Sequence, residues 1–221
     1  MEHYFTNNEN LKCELRTITY KYDLYDFSFV SDNGVFSKNK IDLGSISLVE
    51  SILKHKSVYH NMLDVGCGYG FIGITLSKVL NIPATMVDIN KRALHLCEMN
   101  IKTNKVDAEV FLSSIYENVT EKYDLIVTNP PIRTGKNTVL SFLIDAKKHL
   151  SENGELWFVI RKDQGAKSIA KSINEIYDLS LVEKNKGFYI FKAKNRWLLY
   201  LTKIKLYIGS PSLEWANSLK N

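Results

Sequence analysis

The feature that most restricts how this chain can fold is the segment LDVGCGYGFIG at 63–73. Asp64 closes a short hydrophobic run, Gly66, Gly68 and Gly70 alternate behind it, and a helical apolar pattern over 71–80 follows. Alternating glycines let the backbone turn tightly and come close to a ligand, while the helix beyond them starts with unpaired N–H groups. A strand, a ligand loop and a helix in direct succession are therefore predicted.

The rest of the chain supplies a sheet for that unit. Apolar runs at 62–65, 84–87, 109–112, 123–128 and 155–160 read as strands, and helical periodicity is predicted over 71–80, 91–103, 138–150 and 168–177. Strand and helix in alternation is the pattern of a mostly parallel sheet covered by helices on both faces. Residues 179–182 and 188–191 read as a closing pair of strands. Before residue 60, two β-rich runs (15–22 and 27–30) and a helix at 45–53 are expected to pack on the core. The predicted organisation is thus one domain: an N-terminal addition at 1–60, the core at 61–195, and a tail at 196–221 of unknown role. For the tail, an extra strand or helix over a sheet edge is favoured over an interaction surface.

The glycine loop has two registers. Gly68, Gly70 and Gly73 satisfy GxGxxG, and Asp88 lies twenty residues beyond Gly68, as a dinucleotide site requires. On spacing alone NAD stays open. The other register, Asp64-x-Gly66-x-Gly68-x-Gly70, puts a carboxylate directly before the loop, where it repels a pyrophosphate and attracts a cationic amino group. Asp88 can accept from both ribose hydroxyls in either case. Cys67, inside the loop, reads as a small space-filler rather than a nucleophile.

A second constellation follows the strand at 123–128: Asn129-Pro130-Pro131-Ile132-Arg133. Two prolines fix φ and remove two donors, leaving a stiff loop rich in acceptors. At the carboxyl end of a central strand it faces the same crevice as the glycine loop. An sp² exocyclic amine is a poor nucleophile, because its lone pair is delocalised. The Asn129 side-chain oxygen and the Pro130 carbonyl can each accept one N–H and so turn that lone pair toward an electrophilic methyl group.

Composition narrows the setting. The chain has 221 residues, a net charge of +5 and 45% hydrophobic residues, which permits a polyanionic partner without requiring one. Three cysteines without a CxxC pair argue against a disulfide framework or a structural zinc site and fit a reducing cytoplasm. Neither a signal peptide nor an apolar run of membrane-spanning length is visible. The histidines lack HxxxH or HxH spacing, so no metal is expected. Asp145 and His149 read as a surface pair at i and i+4 on the helix predicted over 138–150.

Together, HYFT at 3–6, DNGVFS at 32–37, IDLGS at 41–45, LDVGCGYGFIGI at 63–74, VDIN at 87–90, NPPIR at 129–133, the region HLSENGELWFVIRKDQGA and the closing GFYIFKA resemble the class I S-adenosylmethionine-dependent methyltransferases. The similarity is to the small-methyltransferase group that contains the 16S ribosomal RNA guanine-N2 enzymes. It runs from residue 3 to about residue 194, and the order and spacing of the motifs carry it.

The resemblance implies an α/β, Rossmann-like fold with a seven-stranded, mostly parallel sheet whose last strand is antiparallel. It also implies S-adenosylmethionine as cofactor. Asp64, Gly66, Cys67, Gly68 and Gly70 would hold its methionine part, with Asp88 at the ribose hydroxyls, Ser114 near the adenine amino group, and Ile89 and Asn129 as further cofactor-binding residues. Asn129 and Pro130, with Pro131 and Ile132, would position the acceptor amine. Ile132 stands where many adenine-N6 and protein-glutamine enzymes carry an aromatic residue, which tilts the substrate toward guanine N2. Ser113-Ser114 replaces the acid that commonly meets the adenine amino group, which points to a lower cofactor affinity. Arg133, Lys136, Arg161 and Lys162 follow strand ends near the crevice and are candidates for RNA phosphates. The implied partner is ribosomal RNA or the small ribosomal subunit. Larger relatives carry two related domains, so the chain reads as a stand-alone catalytic domain, monomeric or homodimeric. Rivals are a protein-glutamine or DNA adenine-N6 methyltransferase and a non-catalytic nucleotide- or RNA-binding module.

Overall fold

The computed structural model of the chain describes residues 14–55 and 57–196. The HYFT segment and the tail beyond Arg196 lie outside the described residues. The chain opens with an antiparallel hairpin, β1 (Arg16–Tyr22) and β2 (Tyr25–Ser31), followed by α1 (Leu43–Lys54). Then come β3 (Met62–Val65), α2 (Phe71–Leu80), β4 (Ala84–Asp88), α3 (Lys91–Asn104), β5 (Ala108–Leu112), β6 (Tyr123–Thr128), α4 (Lys136–Ile144), β7 (Leu150–Arg161), α5 (Ala166–Asn174), β8 (Tyr177–Asn185) and β9 (Phe188–Asn195).

The main sheet has seven strands in the order β5-β4-β3-β6-β7-β9-β8. The pairs from β5 across to β7 are parallel, and β9 runs antiparallel to both β7 and β8. The expected Rossmann-like sheet with an antiparallel last strand is what forms. Strand residues alternate between two apolar layers, because successive side chains leave a strand on opposite faces. Met62, Met86, Leu125, Val127, Trp157 and Val159 pack under α1, α2, α3 and the hairpin. Leu63, Val65, Val87, Ile126, Phe158 and Ile160 pack under α4 and α5.

The hairpin is tied to the core by two buried amides one helical turn apart on α3. Asn104 accepts from the Ser28 N–H (3.1 Å) and donates to the Ser28 carbonyl (2.8 Å). Asn100 does the same with Val30 at 2.7 and 3.0 Å, and also donates to the Tyr69 carbonyl in the glycine loop (2.8 Å). These side chains satisfy an edge of β2 that no neighbouring strand covers among the described residues.

Two sequence expectations change. The helix predicted over 138–150 ends at Ile144, passes through a 3₁₀ turn at Asp145–Lys148, and gives way to β7 at Leu150. Leu150 is claimed by pairing with Tyr123, and the bulge that follows closes so tightly that a Cβ on Gly154 would lie 2.7 Å from the Tyr123 carbonyl oxygen. Asp145 and His149 accordingly do not form a surface pair on a helix. Asp145 binds Lys148 (3.1 Å), while the His149 ring stacks on Tyr116 at 4.9 Å, where burial holds its pKa below the usual value. The helix predicted to reach Tyr177 ends at Asn174, because Tyr177 joins the sheet opposite Asn195 and its hydroxyl donates to the Leu143 carbonyl (2.8 Å). Among the described residues, no helix is long and apolar enough to cross a membrane.

Candidate active site

Strand order reverses between β3 and β6, so the loops after these strands leave the same rim and diverge above it. The two exits touch: the Thr128 hydroxyl donates to the Val65 carbonyl (2.8 Å). This is the place where open α/β sheets form a ligand crevice.

The glycine loop is pinned from below by β4. The Gly66 and Cys67 N–H groups both donate to the Val87 carbonyl (2.8 and 3.0 Å), and the Gly68 N–H donates to Asp88 (2.8 Å). Gly66, Gly68 and Gly70 adopt φ of 74°, 59° and 92°, a region costly for residues with a Cβ. Over Gly68 there is open space, whereas a Cβ on Gly70 would lie 2.6 Å from the Cys97 sulfur. Gly73 serves packing: a Cβ there would sit 2.5 Å from Met86 Sδ, so α2 lies close on β4. Close packing thus accounts for the last two glycines of the GxGxxG register, Gly70 and Gly73.

Asp64 lies beneath this loop, fully buried. One oxygen accepts the Gly73 N–H (2.9 Å), and the other has no protein partner. Burial pushes its carboxyl up to about 7, against the pull of the Gly73 N–H and with a smaller push from Asp88. Asp88, half-buried at the end of β4, is also raised by burial, opposed by the N–H groups of Asn90 and Gly68. Burial pushes the Cys67 thiol up as well, which suits a space-filler and not a nucleophile. Ile89 stands 45% exposed beside Asp88. Ser114 is exposed after β5, while buried Ser113 locks the turn by donating to the Ile115 carbonyl (3.1 Å).

Across the crevice, Pro130 is buried and Asn129 and Pro131 half-buried. The Asn129 amide nitrogen donates to Asp42 (3.0 Å) and to the Ser45 hydroxyl (2.9 Å). Ile132 begins a 3₁₀ turn and packs on the layer under α4 and α5. The four candidate cations are exposed on this rim, but differ in freedom. Arg161 is held by both oxygens of Asp163 (3.0 and 2.9 Å), Lys136 donates to Ser168 (2.8 Å), and Arg133 and Lys162 extend from turns following β6 and β7.

Residues 26–192 match the family described as "Methyltransferase small domain". The chain belongs to this family. Among its relatives, the "Uncharacterized protein YbxB" of Bacillus subtilis is 40% identical over 198 residues, covering 87% of this chain and 98% of that one. The "Ribosomal RNA small subunit methyltransferase C" of Haemophilus ducreyi is 36% identical over 143 residues, covering 62% of this chain and 44% of that one. This methyltransferase domain thus spans less than half the length of that relative. Among solved structures, the T. thermophilus 16S rRNA N2 G1207 methyltransferase, in complex with AdoMet and guanosine, superposes with a TM-score of 0.74 at 21% identity, over 82% of this chain and 51% of that one. That likeness bears on the fold. A methyltransferase family does not call for the dinucleotide that the GxGxxG register left open.

Sequence reasoning missed the contacts that cross between segments. Asp42-x-x-Ser45 is legible as a helix start, and Asp42 does cap α1 by accepting the Ser45 N–H (2.9 Å). Nothing in the string shows that the same carboxylate reaches Asn129, 87 residues away. Nor does it show that Phe188, at the head of β9, rests against Gly44, where a Cβ would come within 2.8 Å of its ring.

Proposed function

We propose that this methyltransferase domain transfers a methyl group from S-adenosylmethionine to an exocyclic amine of ribosomal RNA, with guanine N2 of the small-subunit RNA as the acceptor. The contact between the two strand ends carries the reading: Thr128 meets Val65, so the loops that follow start from one rim, with a donor over Gly68 and an acceptor at Asn129.

The residues suit the cofactor. Gly68 leaves open space where a side chain would otherwise stand, and Asp64 has a buried oxygen without a protein partner, a source of negative potential under the loop. A ligand bearing an ammonium group is favoured by that potential, and its binding favours the ionised carboxylate in turn. Asp88 would hold the ribose hydroxyls. Ile89 offers an exposed apolar surface to a flat ring, with Ser114 to accept from its amino group.

The bound cofactor supplies an electrophilic methyl carbon on a sulfonium. The protein supplies geometry. The Asn129 side-chain oxygen and the Pro130 carbonyl accept the two N–H groups of the amine, which weakens the delocalisation of its lone pair into the ring and aims that pair across the crevice. As the nitrogen gains the methyl group, the methyl–sulfur bond would break with its electron pair staying on sulfur as a thioether, and the nitrogen sheds one proton to water, so no strong base is required before attack. Ile132, together with Pro131, leaves an aliphatic wall beside the base. Arg133 and Lys162, exposed on the same rim, meet the flanking phosphates, with Lys136 and Arg161 as further cations there. The RNA-methyltransferase relative reported above supports RNA as the acceptor class.

The test is mass spectrometry of nucleosides from small ribosomal subunits treated with the protein and methyl-labelled cofactor. Label in N2-methylguanosine is expected. Label in N6-methyladenosine would overturn the choice of base, and label confined to protein would overturn RNA as the substrate.

A further inference from the structure

We propose that Asp42 and Ser45 are positioning residues for methyl transfer: they lock the Asn129 side-chain amide in the one orientation that presents oxygen, and not nitrogen, to the acceptor amine. This rests on the role given to Asn129 above.

An asparagine amide is nearly symmetric in shape, so packing alone does not decide which end points outward. Here hydrogen bonding decides. An ionised carboxylate only accepts, and Asp42 Oδ2 receives one Asn129 N–H at 3.0 Å. The Ser45 hydroxyl has Asp42 Oδ2 within reach at 3.4 Å for its own hydrogen, which leaves its lone pairs to Asn129 Nδ2 at 2.9 Å. Both amide hydrogens are thereby engaged, and the planar group turns its oxygen to the opposite side. The reversed amide would set that oxygen against the carboxylate.

The clamp itself is held. Asp42 also accepts the Ser45 N–H at 2.9 Å, so the carboxylate cannot swing without uncapping α1. Gly44 leaves room for it, because a Cβ there would lie 2.9 Å from Asp42 Oδ2. The consequence for specificity is direct: a fixed acceptor selects a nitrogen that carries hydrogen, and a ring carbonyl placed there meets oxygen against oxygen.

Asp42→Asn separates this role from helix capping. Asparagine is an equally good cap, yet its own amide can donate as well as accept, so Asn129 is no longer held one way. With methyl-labelled cofactor and small ribosomal subunits, Asp42→Asn is expected to keep the wild-type melting temperature and S-adenosylhomocysteine affinity while turnover falls about 10-fold. In an Asn129→Ala background the same change is expected to cost less than 2-fold, because its target is gone. Ser45→Ala should follow the same pattern with a smaller loss. Wild-type turnover in Asp42→Asn, or losses that multiply in the double variant, would overturn the clamp. A wild-type protein that methylates no RNA would instead overturn the reading of the acceptor. The clamp is then read by amide exchange: the Asn129 side-chain hydrogens should exchange more slowly in the wild type than in Asp42→Asn, and equal rates would refute it.

Discussion

The crevice has two walls, built by different physics. The glycine loop is held by backbone hydrogen bonds to β4 and by the absence of side chains, so its shape follows from positive φ and close approach. A second flank, residues 32–45, reaches from the β4–α3 junction to Asn129, has no helix or strand before α1 and is held by polar side chains. Asp32, 1% exposed, binds Arg92 (2.7 Å) and accepts the N–H groups of Glu14 and Asn33 (2.7 Å each). Asn90 donates to the Gly34 carbonyl (3.2 Å), and Asp42 reaches Asn129. A wall made of backbone tolerates no added atoms where it is close-packed, as at Gly70, whereas a wall made of side-chain pairs fails when one partner is removed.

That contrast sets the effects of substitution. Gly70→Val combines a φ of 92° with a clash at Cys97 and is expected to destabilise the fold by about 3 kcal/mol or more in urea unfolding. Gly68→Ala, which meets open space, should cost about 1 kcal/mol while weakening S-adenosylhomocysteine at least about 10-fold. Equal destabilisation by the two would break the distinction. On the polar wall, Asp32→Ala removes the Arg92 ion pair together with the acceptor of two backbone N–H groups and is expected to cost about 3 kcal/mol, again read by urea unfolding. A loss near zero would mean that this wall stands without its ion pair.

Asp64 belongs to the first wall and gives it a pH signature. Its carboxyl, raised from 3.8 to about 7, keeps a proton in the folded state that the unfolded chain has already lost between those values. The unfolded state therefore binds fewer protons across that window, and stability falls as pH rises through it. Asp64→Asn should remove up to about 2–4 kcal/mol of the difference in unfolding free energy between pH 4 and pH 8. The same slope in the variant would assign the effect to other groups. The smallest effect is expected at the rim. Arg133→Ala should lower the log–log salt slope for single-stranded RNA by about 0.7, and an unchanged slope would place the phosphate path elsewhere.

The same contrast governs how much was legible in the sequence. Short apolar runs and period-3.6 helices are local signals, so β3 through β7, the order of elements and the glycine loop could be read from the string. Asp64 and Asn129 stand out as candidates because glycines and prolines mark their loops, and Asp88 because it closes a strand twenty residues beyond Gly68. The helix boundary at Ile144 was misplaced because Leu150 answers to a partner strand and not to its own helical period. Asn100 and Asn104 resemble ordinary polar helix positions, and only the fold shows them pairing with the edge of β2. Asp42 is half visible: its helix cap is local, and its grip on Asn129 is not.

The central claim is that the two loops form one site with divided labour, one holding the donor and the other orienting the acceptor. The most direct measurement is a paired one on Asn129→Ala: S-adenosylhomocysteine affinity by calorimetry, and methyl transfer to small ribosomal subunits. The expected result is an affinity within about 2-fold of wild type with turnover reduced roughly 100-fold or more. Unchanged turnover, or cofactor affinity lost in step with it, would contradict the division.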